Sequence, residues 1–202
     1  MKLVGRMLSP FVRRVAVTLN LYGMEWESLP LSVVTEWDKI REVNPLGRVP
    51  ALILDGGEML VDSSAILDHL DEVAGEAALR PRSGAARREV LRATAFALGA
   101  TERTVAAFYE SARRPEEFRW QQGIANQVAT ALAALRTLDE RLAGSDFLAL
   151  GRLTQADVTT AVLVDFIETT MPKMAGDVPS RVRALRDRLQ DDERFASTRF
   201  QG

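Results

Sequence analysis

Three short runs in the first third of the chain carry side chains that could do chemistry. Ser9-Pro10-Phe11-Val12-Arg13-Arg14 places a hydroxyl just before a proline-led segment, with two guanidinium groups in its first turns. If that segment is a helix, Ser9 stands at the positive end of its dipole. Dipole, hydroxyl and cations would together stabilise a bound thiolate. Val49-Pro50-Ala51-Leu52 puts a proline at the mouth of an apolar run. A cis Val49-Pro50 bond would turn the Val49 N–H and C=O outward, where they could pair with an extended, peptide-like ligand as a sheet edge does. Asp62-Ser63-Ser64-Ala65-Ile66 opens another helical stretch. The Ser63 hydroxyl and the first N–H groups of that helix would form an anion site for a carboxylate, and Asp62 could take an adjacent ammonium. Each run also has an ordinary structural reading. Ser9 and Ser63 would then be helix caps, Pro50 a strand-initiating proline, and the arginines solvated.

The elements that must position these residues follow from pattern. Lys2–Met7 reads as a strand and Pro10–Tyr22 as a helix, with Val12, Val15, Ala16 and Leu19 at helical spacing and Gly23 as its stop. Trp26–Val34 reads as a second strand, and Thr35–Val43 as a short helix or turn closed by Asn44-Pro45-Leu46-Gly47. Ala51–Leu54 and Glu58–Val61 flank Asp55-Gly56-Gly57, which predicts a hairpin. Ser63–Ala74 reads as a helix with Ser63 as N-cap and Gly75 as stop. After residue 84 the chain turns rich in Ala, Leu, Arg and Glu. Helices are expected over Ala85–Ala112, about Glu116–Leu142, the apolar run Val158–Ile167 and about Pro179–Gln190, with Thr154 and Asp157 forming a capping box. Residues 1–75 thus form an α/β domain, 76–84 a linker and 85–202 an all-α domain.

Composition narrows the chemistry. Of 202 residues, 26 are Lys or Arg and 28 are Asp or Glu, a net charge of −2 that argues against nucleic-acid binding as the main task. Cysteine is absent, which removes disulfides, thiolate metal sites and a cysteine nucleophile of the protein's own. The single histidine, His69, excludes a His-rich zinc site and reads as structural or surface. No apolar run approaches the roughly 20 residues that a membrane span needs. The expectation is a cytoplasmic protein with no membrane, metal or nucleic-acid partner.

In order and spacing, Ser9-Pro10-Phe11, Asn44-Pro45-Leu46-Gly47-Arg48-Val49-Pro50 and Asp62-Ser63-Ser64-Ala65-Ile66, set before an all-α half, resemble the cytosolic glutathione S-transferase family, and most closely its small bacterial members. The resemblance implies a thioredoxin-like α/β N-terminal domain with a four-stranded mixed sheet, an all-α C-terminal domain, a homodimer, and glutathione as co-substrate. It implies that Ser9 donates a hydrogen bond to the glutathione sulfur. Val49, before a cis Pro50, would pair with the cysteinyl backbone, and Asp62 and Ser63 would hold the γ-glutamyl end. Arg48 falls at a basic position near the glycyl carboxylate, which Lys39 or Arg41 could also reach. The implied activity is attack of the activated thiolate on a small hydrophobic electrophile.

Departures from the family's classes sharpen this. Cysteine-using classes are excluded, and the serine–serine–cysteine run of the isomerase classes is missing from the first loop. The alternatives are a specialised glutathione-dependent peroxidase, dehalogenase or isomerase, or a non-catalytic member of the fold acting as a binding or stress protein. Thr101, Thr104, Phe108, Tyr109, Trp120 and Met171 are candidates for a second-substrate pocket, with core packing as their ordinary role. The small face Ala93, Ala97 and Ala100 lends the dimer modest support.

Overall fold

The computed structural model describes residues 1–201. The chain divides into two compact units, one formed by Met1–Leu79 with the tail from Gln190 onward, the other by Arg80–Leu189. The sequence pattern assigns all of 85–202 to the helical half. The tail instead packs on the first unit, through contacts that involve individual side chains rather than any periodic pattern.

In the first unit the order is β1 (Lys2–Val4), α1 (Pro10–Leu21), β2 (Glu27–Leu29), α2 (Trp37–Val43), β3 (Ala51–Ile53), β4 (Met59–Val61) and α3 (Ser63–Ala74), with α9 (Glu193–Ala196) in the tail. The strands form one mixed sheet in the order β2-β1-β3-β4, with β1 parallel to β2 and antiparallel to β3. They are shorter than the apolar pattern suggests, and each stops for a local reason. Gly5 leaves β1 at φ 125°, and Pro30 follows β2 without an N–H for the ladder. The Asp55-Gly56-Gly57 turn closes the β3–β4 hairpin, with Leu54 N–H donating to Glu58 C=O at 2.8 Å and Gly57 at φ 86°. Leu3 and Leu52 from the sheet, Val12, Val15, Ala16 and Leu19 from α1, and Ile66, Leu67 and Leu70 from α3 make a single buried cluster. Tyr22 ties this unit together, its hydroxyl donating to Asp71 and accepting from the Leu79 N–H.

In the second unit, α4 (Gly84–Ala112), α5 (Gln121–Arg141), α6 (Gln155–Thr170), α7 (Pro172–Ala175) and most of α8 (Ser180–Gln190) form a helical bundle. The helix expected from Glu116 is delayed. A single 3-10 turn occupies Glu116–Phe118, and α5 starts only at Gln121, with the Trp120 ring lying where a side chain at Gly123 would stand. The capping box at α6 is present. Ala93, Ala97 and Ala100 are at most 1% exposed and pack within this unit's own core, alongside Leu135 and Leu163. The small-residue face of α4 is thus consumed by α5 and α6 and lends no support to a dimer.

Candidate functional site

Strand register decides which of the candidate residues can meet. Val4 pairs with Leu29 on one side and Ala51 on the other, and Ala51 pairs with Val61. The last residue of β1, the first of β3 and the last of β4 therefore lie in one row at one end of the sheet. Three chain segments leave that row: the loop to Ser9, the approach from Val49-Pro50, and Asp62-Ser63. Segments far apart in the chain thus leave the sheet from the same end.

Ser9 caps α1 as expected, its Oγ accepting from the Val12 N–H at 3.5 Å. That bond uses an oxygen lone pair. Among the described residues the Ser9 hydroxyl proton has no acceptor, so it is available to a ligand atom at the helix N-terminus. The two arginines behave differently from their sequence reading. Arg13 and Arg14 are only 3% and 2% exposed. Arg13 turns to the tail, its Nε donating to Thr198 Oγ1 at 3.1 Å and its guanidinium lying 4.8 Å from the centre of the Phe195 ring. The helical wheel cannot show this, because the tail that receives Arg13 is 185 residues away in the chain. With Arg13 engaged by the tail, Ser9 presents its hydroxyl at the N-terminal end of the α1 dipole.

The Val49-Pro50 peptide bond is cis. Val49 precedes the last ladder pair, and among the described residues its N–H and C=O have no hydrogen-bond partner. An extended chain running past would find one donor and one acceptor there. The loop is braced from behind: Asn44 is buried, its Nδ2 donates to the Arg48 C=O at 2.8 Å, and its Oδ1 accepts from the Leu46 N–H.

At α3 the cap is Asp62 rather than Ser63. Asp62 Oδ1 accepts from the Ser64 N–H at 2.7 Å, and Asp62 has a positive φ of 70°. That backbone conformation is uncommon for a residue other than glycine and recurs at functional sites. With Asp62 as the cap, Ser63 has no capping role. The Ser63 hydroxyl has no partner among the described residues and sits in the first turn of α3.

The basic candidates divide. Arg48 is exposed, and its guanidinium has no partner among the described residues. Lys39 is also exposed, but its ammonium already lies 3.0 Å from Glu36 Oε1. The Lys39 hydrogen bond, followed by one from the Ser32 N–H, holds the Glu36 carboxyl below the usual carboxylate range. Arg41 lies over the Trp37 ring at 4.7 Å. Three residues, Ser32, Glu36 and Gly5, are not singled out by the sequence pattern. Glu36 and Ser32 clamp the loop before α2, with Ser32 N–H donating to Glu36 Oε2 at 3.1 Å and Ser32 Oγ accepting from Val34 N–H at 3.2 Å. Gly5 sits between Val12 and Val49, close to both. Its positive φ is legible only as a lone glycine ending an apolar run.

In the second unit, Thr101 and Thr104 are buried and donate to the carbonyls of Ala97 and Ala100, one turn back on their own helix. Those hydroxyls are not free to line a pocket. Phe108 is half-buried between Tyr109 and Phe166, both in edge contact, while Tyr109 and Trp120 are exposed. Among the described residues no cluster of three or more His, Asp or Glu side chains could hold a metal ion, and no helix is long and apolar enough to cross a membrane.

Comparison with known proteins bears on this arrangement. Residues 3–78 match the family described as glutathione S-transferase, N-terminal domain, and residues 121–191 the one described as glutathione S-transferase, C-terminal domain. A solved glutathione transferase family member from Pseudomonas fluorescens Pf-5, with bound glutathione, is 30% identical with a TM-score of 0.84, over 98% of both chains. A solved glutathione S-transferase from Methylobacillus flagellatus KT, with GSH bound, is 26% identical with a TM-score of 0.89, again over 98% of each chain. Among curated sequences, the maleylacetoacetate isomerase of Pseudomonas aeruginosa is 39% identical over 77 residues, a stretch that spans 36% of this chain and 36% of that protein.

Proposed function

Because this chain belongs to the glutathione S-transferase family, we propose that it binds glutathione at the β1–β3–β4 end of its sheet and activates the thiol for attack on a small hydrophobic electrophile. The observation that supports this is the register row Val4–Ala51–Val61, from which the loop to Ser9, the Val49-Pro50 approach and the Asp62-Ser63 cap all depart, with an available hydroxyl proton at Ser9 and an unpaired backbone donor and acceptor at Val49. The roles follow from chemistry. Val49 pairs with the cysteinyl N–H and C=O. The Ser63 hydroxyl and the first N–H groups of α3 take the γ-glutamyl carboxylate, and Asp62 its ammonium. Pro50 anchors the turn from below. Arg48 takes the glycyl carboxylate, and Lys39 assists only by leaving Glu36.

A free thiol ionises near pH 8.5, so most of it is protonated and weakly nucleophilic at neutral pH. The Ser9 O–H donates to the sulfur and the α1 N-terminus adds its dipole, both favouring thiolate. Each unit of pKa lowering corresponds to about 1.4 kcal/mol. The proton leaves to solvent, the sulfur lone pair forms the new S–C bond, and the leaving group departs with its own electron pair. Ser9 orients and stabilises; it is not the nucleophile. The protein is proposed to act as a homodimer, and sedimentation at micromolar concentration that gives the mass of one chain would contradict that.

The likeness to maleylacetoacetate isomerase favours one second reading, a glutathione-dependent cis–trans isomerase. Against it, the first loop lacks the serine–serine–cysteine run that the isomerase classes carry. Calorimetry with glutathione, followed by turnover assays with an aryl halide electrophile and with maleylacetoacetate, tests both. Binding with aryl halide turnover supports the transferase, and turnover of maleylacetoacetate alone supports the isomerase. Absence of binding at millimolar glutathione refutes both.

A further inference from the structure

Gly5 lies where β1 ends, at φ 125°, a backbone conformation that favours glycine. A Cβ at this position would stand 2.6 Å from Val12 Cγ2 and 2.8 Å from Val49 Cβ, closer than carbons approach without something moving. The missing side chain is therefore the space in which the Ser9-capped helix and the Val49 segment come together. Gly5 cannot retreat. Val4 is held in ladders on both sides, and the Gly5 N–H donates to the Leu29 C=O at 2.8 Å. Val12 cannot retreat easily either: it is fully buried in the cluster with Leu3 and Leu52, and close-packed interiors transmit strain rather than absorb it. Val49 is half-buried and outside any strand, and its backbone makes no hydrogen bond among the described residues. The Val49 side of the junction is the one that yields.

We propose that Gly5 is a positioning residue: its bare backbone sets how closely Val49 approaches the Ser9 arm, so that one ligand can pair with the Val49 backbone and place its thiol at Ser9 together. This rests on the glutathione reading above. A methyl group at position 5 must displace Val49 by at least about 0.6 Å to bring the 2.8 Å contact to ordinary packing distance. A backbone pairing near 2.9 Å is stretched by that shift to the outer edge of hydrogen bonding.

The test is calorimetry with glutathione on the full chain, with the pH titration of the bound thiol, for wild type, Gly5→Ala and Val12→Ala. Gly5→Ala is expected to weaken binding about tenfold, equivalent to about 1.4 kcal/mol, and to raise the pKa of the bound thiol. Val12→Ala leaves a cavity at the same junction without pushing Val49. It is expected to lower the melting temperature while keeping affinity within about twofold, which separates positioning from packing. If Gly5→Ala does not fold, Gly5→Ala combined with Val12→Ala removes the closer clash, keeps the one with Val49, and is expected to show the same loss of affinity. A folded Gly5→Ala protein that binds glutathione like wild type overturns the proposal. So does a loss in Val12→Ala equal to that in Gly5→Ala, or failure of both Gly5 variants to fold. Wild type that does not bind glutathione fails before any variant is compared, and refutes the underlying reading instead.

Discussion

Replacing Asp157 by alanine should strongly destabilise the helical unit at the start of α6. Asp157 is fully buried. Its Oδ2 accepts from the Thr154 N–H at 2.8 Å and the Thr154 hydroxyl at 2.7 Å, and its Oδ1 accepts from the Leu148 N–H at 2.8 Å. One carboxylate thus satisfies the cap of α6 and fixes the loop that returns to it. Alanine strands two buried backbone donors and a hydroxyl. At about 1–3 kcal/mol for each stranded donor, partly relieved because the hydroxyl can rotate, the loss is about 3–4 kcal/mol. In urea unfolding followed by circular dichroism, that lowers the midpoint by about 1.5–2 M at a slope near 2 kcal/mol per M. A loss under about 1 kcal/mol would refute the reasoning, since a single surface cap is worth that much. The pH dependence gives a second check. Burial, the largest influence, raises the Asp157 pKa above its ordinary 3.8, against the hydrogen bonds from Leu148 and Thr154 that lower it. A carboxyl whose folded pKa exceeds its unfolded one stabilises the fold fully below the unfolded value, and that contribution is lost as pH rises through the folded one. The margin of wild type over Asp157→Asn, which does not titrate, is therefore greatest near and below pH 3.8 and shrinks above it. A margin that grows with pH would mean that the hydrogen bonds outweigh burial.

Other expectations are as direct. Arg186 is 7% exposed and lies 2.8 Å from Asp165 Oδ1 and 2.6 Å from Glu168 Oε1. Arg186→Ala should cost about 3 kcal/mol by removing the guanidinium that faces the buried Asp165, while the half-buried Glu168 keeps Arg183 at 2.8 Å, and combining it with Asp165→Ala should recover part of that in thermal unfolding. Tyr22→Phe removes the bonds to Asp71 and the Leu79 N–H, and should cost about 1–3 kcal/mol with faster hydrogen exchange at the Leu79 amide. Asp62→Asn keeps an acceptor for the Ser64 N–H and tolerates positive φ. Calorimetry should show glutathione affinity falling about tenfold, with the melting temperature within about 2 °C of wild type.

What the sequence disclosed, and what it hid, divides along one physical line. Local chemistry was legible: Ser9 at the start of α1, the Asp55-Gly56-Gly57 hairpin, the Thr154–Asp157 box and the Gly75 stop all depend on a few adjacent residues. Properties set by distant partners were not. Arg13 reads as a solvated cation because its partners, Thr198 and Phe195, lie at the other end of the chain. The α4 alanines read as a face for another chain because nothing in their spacing says that α5 and α6 cover them. The α3 cap falls on Asp62 rather than Ser63, and because Asp and Ser are about equally good N-caps, adjacent residues of both types leave the choice open in the sequence. Gly5 was invisible as a site residue because its importance is an absence of atoms, meaningful only once Val12 and Val49 are placed around it.

The central claim is that the Ser9 hydroxyl and the α1 N-terminus hold glutathione as thiolate. It is tested most directly by the ultraviolet thiolate band of the glutathione complex, recorded against pH for wild type and Ser9→Ala. The account predicts thiolate in wild type at neutral pH, and a bound-thiol pKa in Ser9→Ala that moves back toward the free value of about 8.5 while glutathione still binds. Identical titrations in the two proteins, or no thiolate in either, would contradict it.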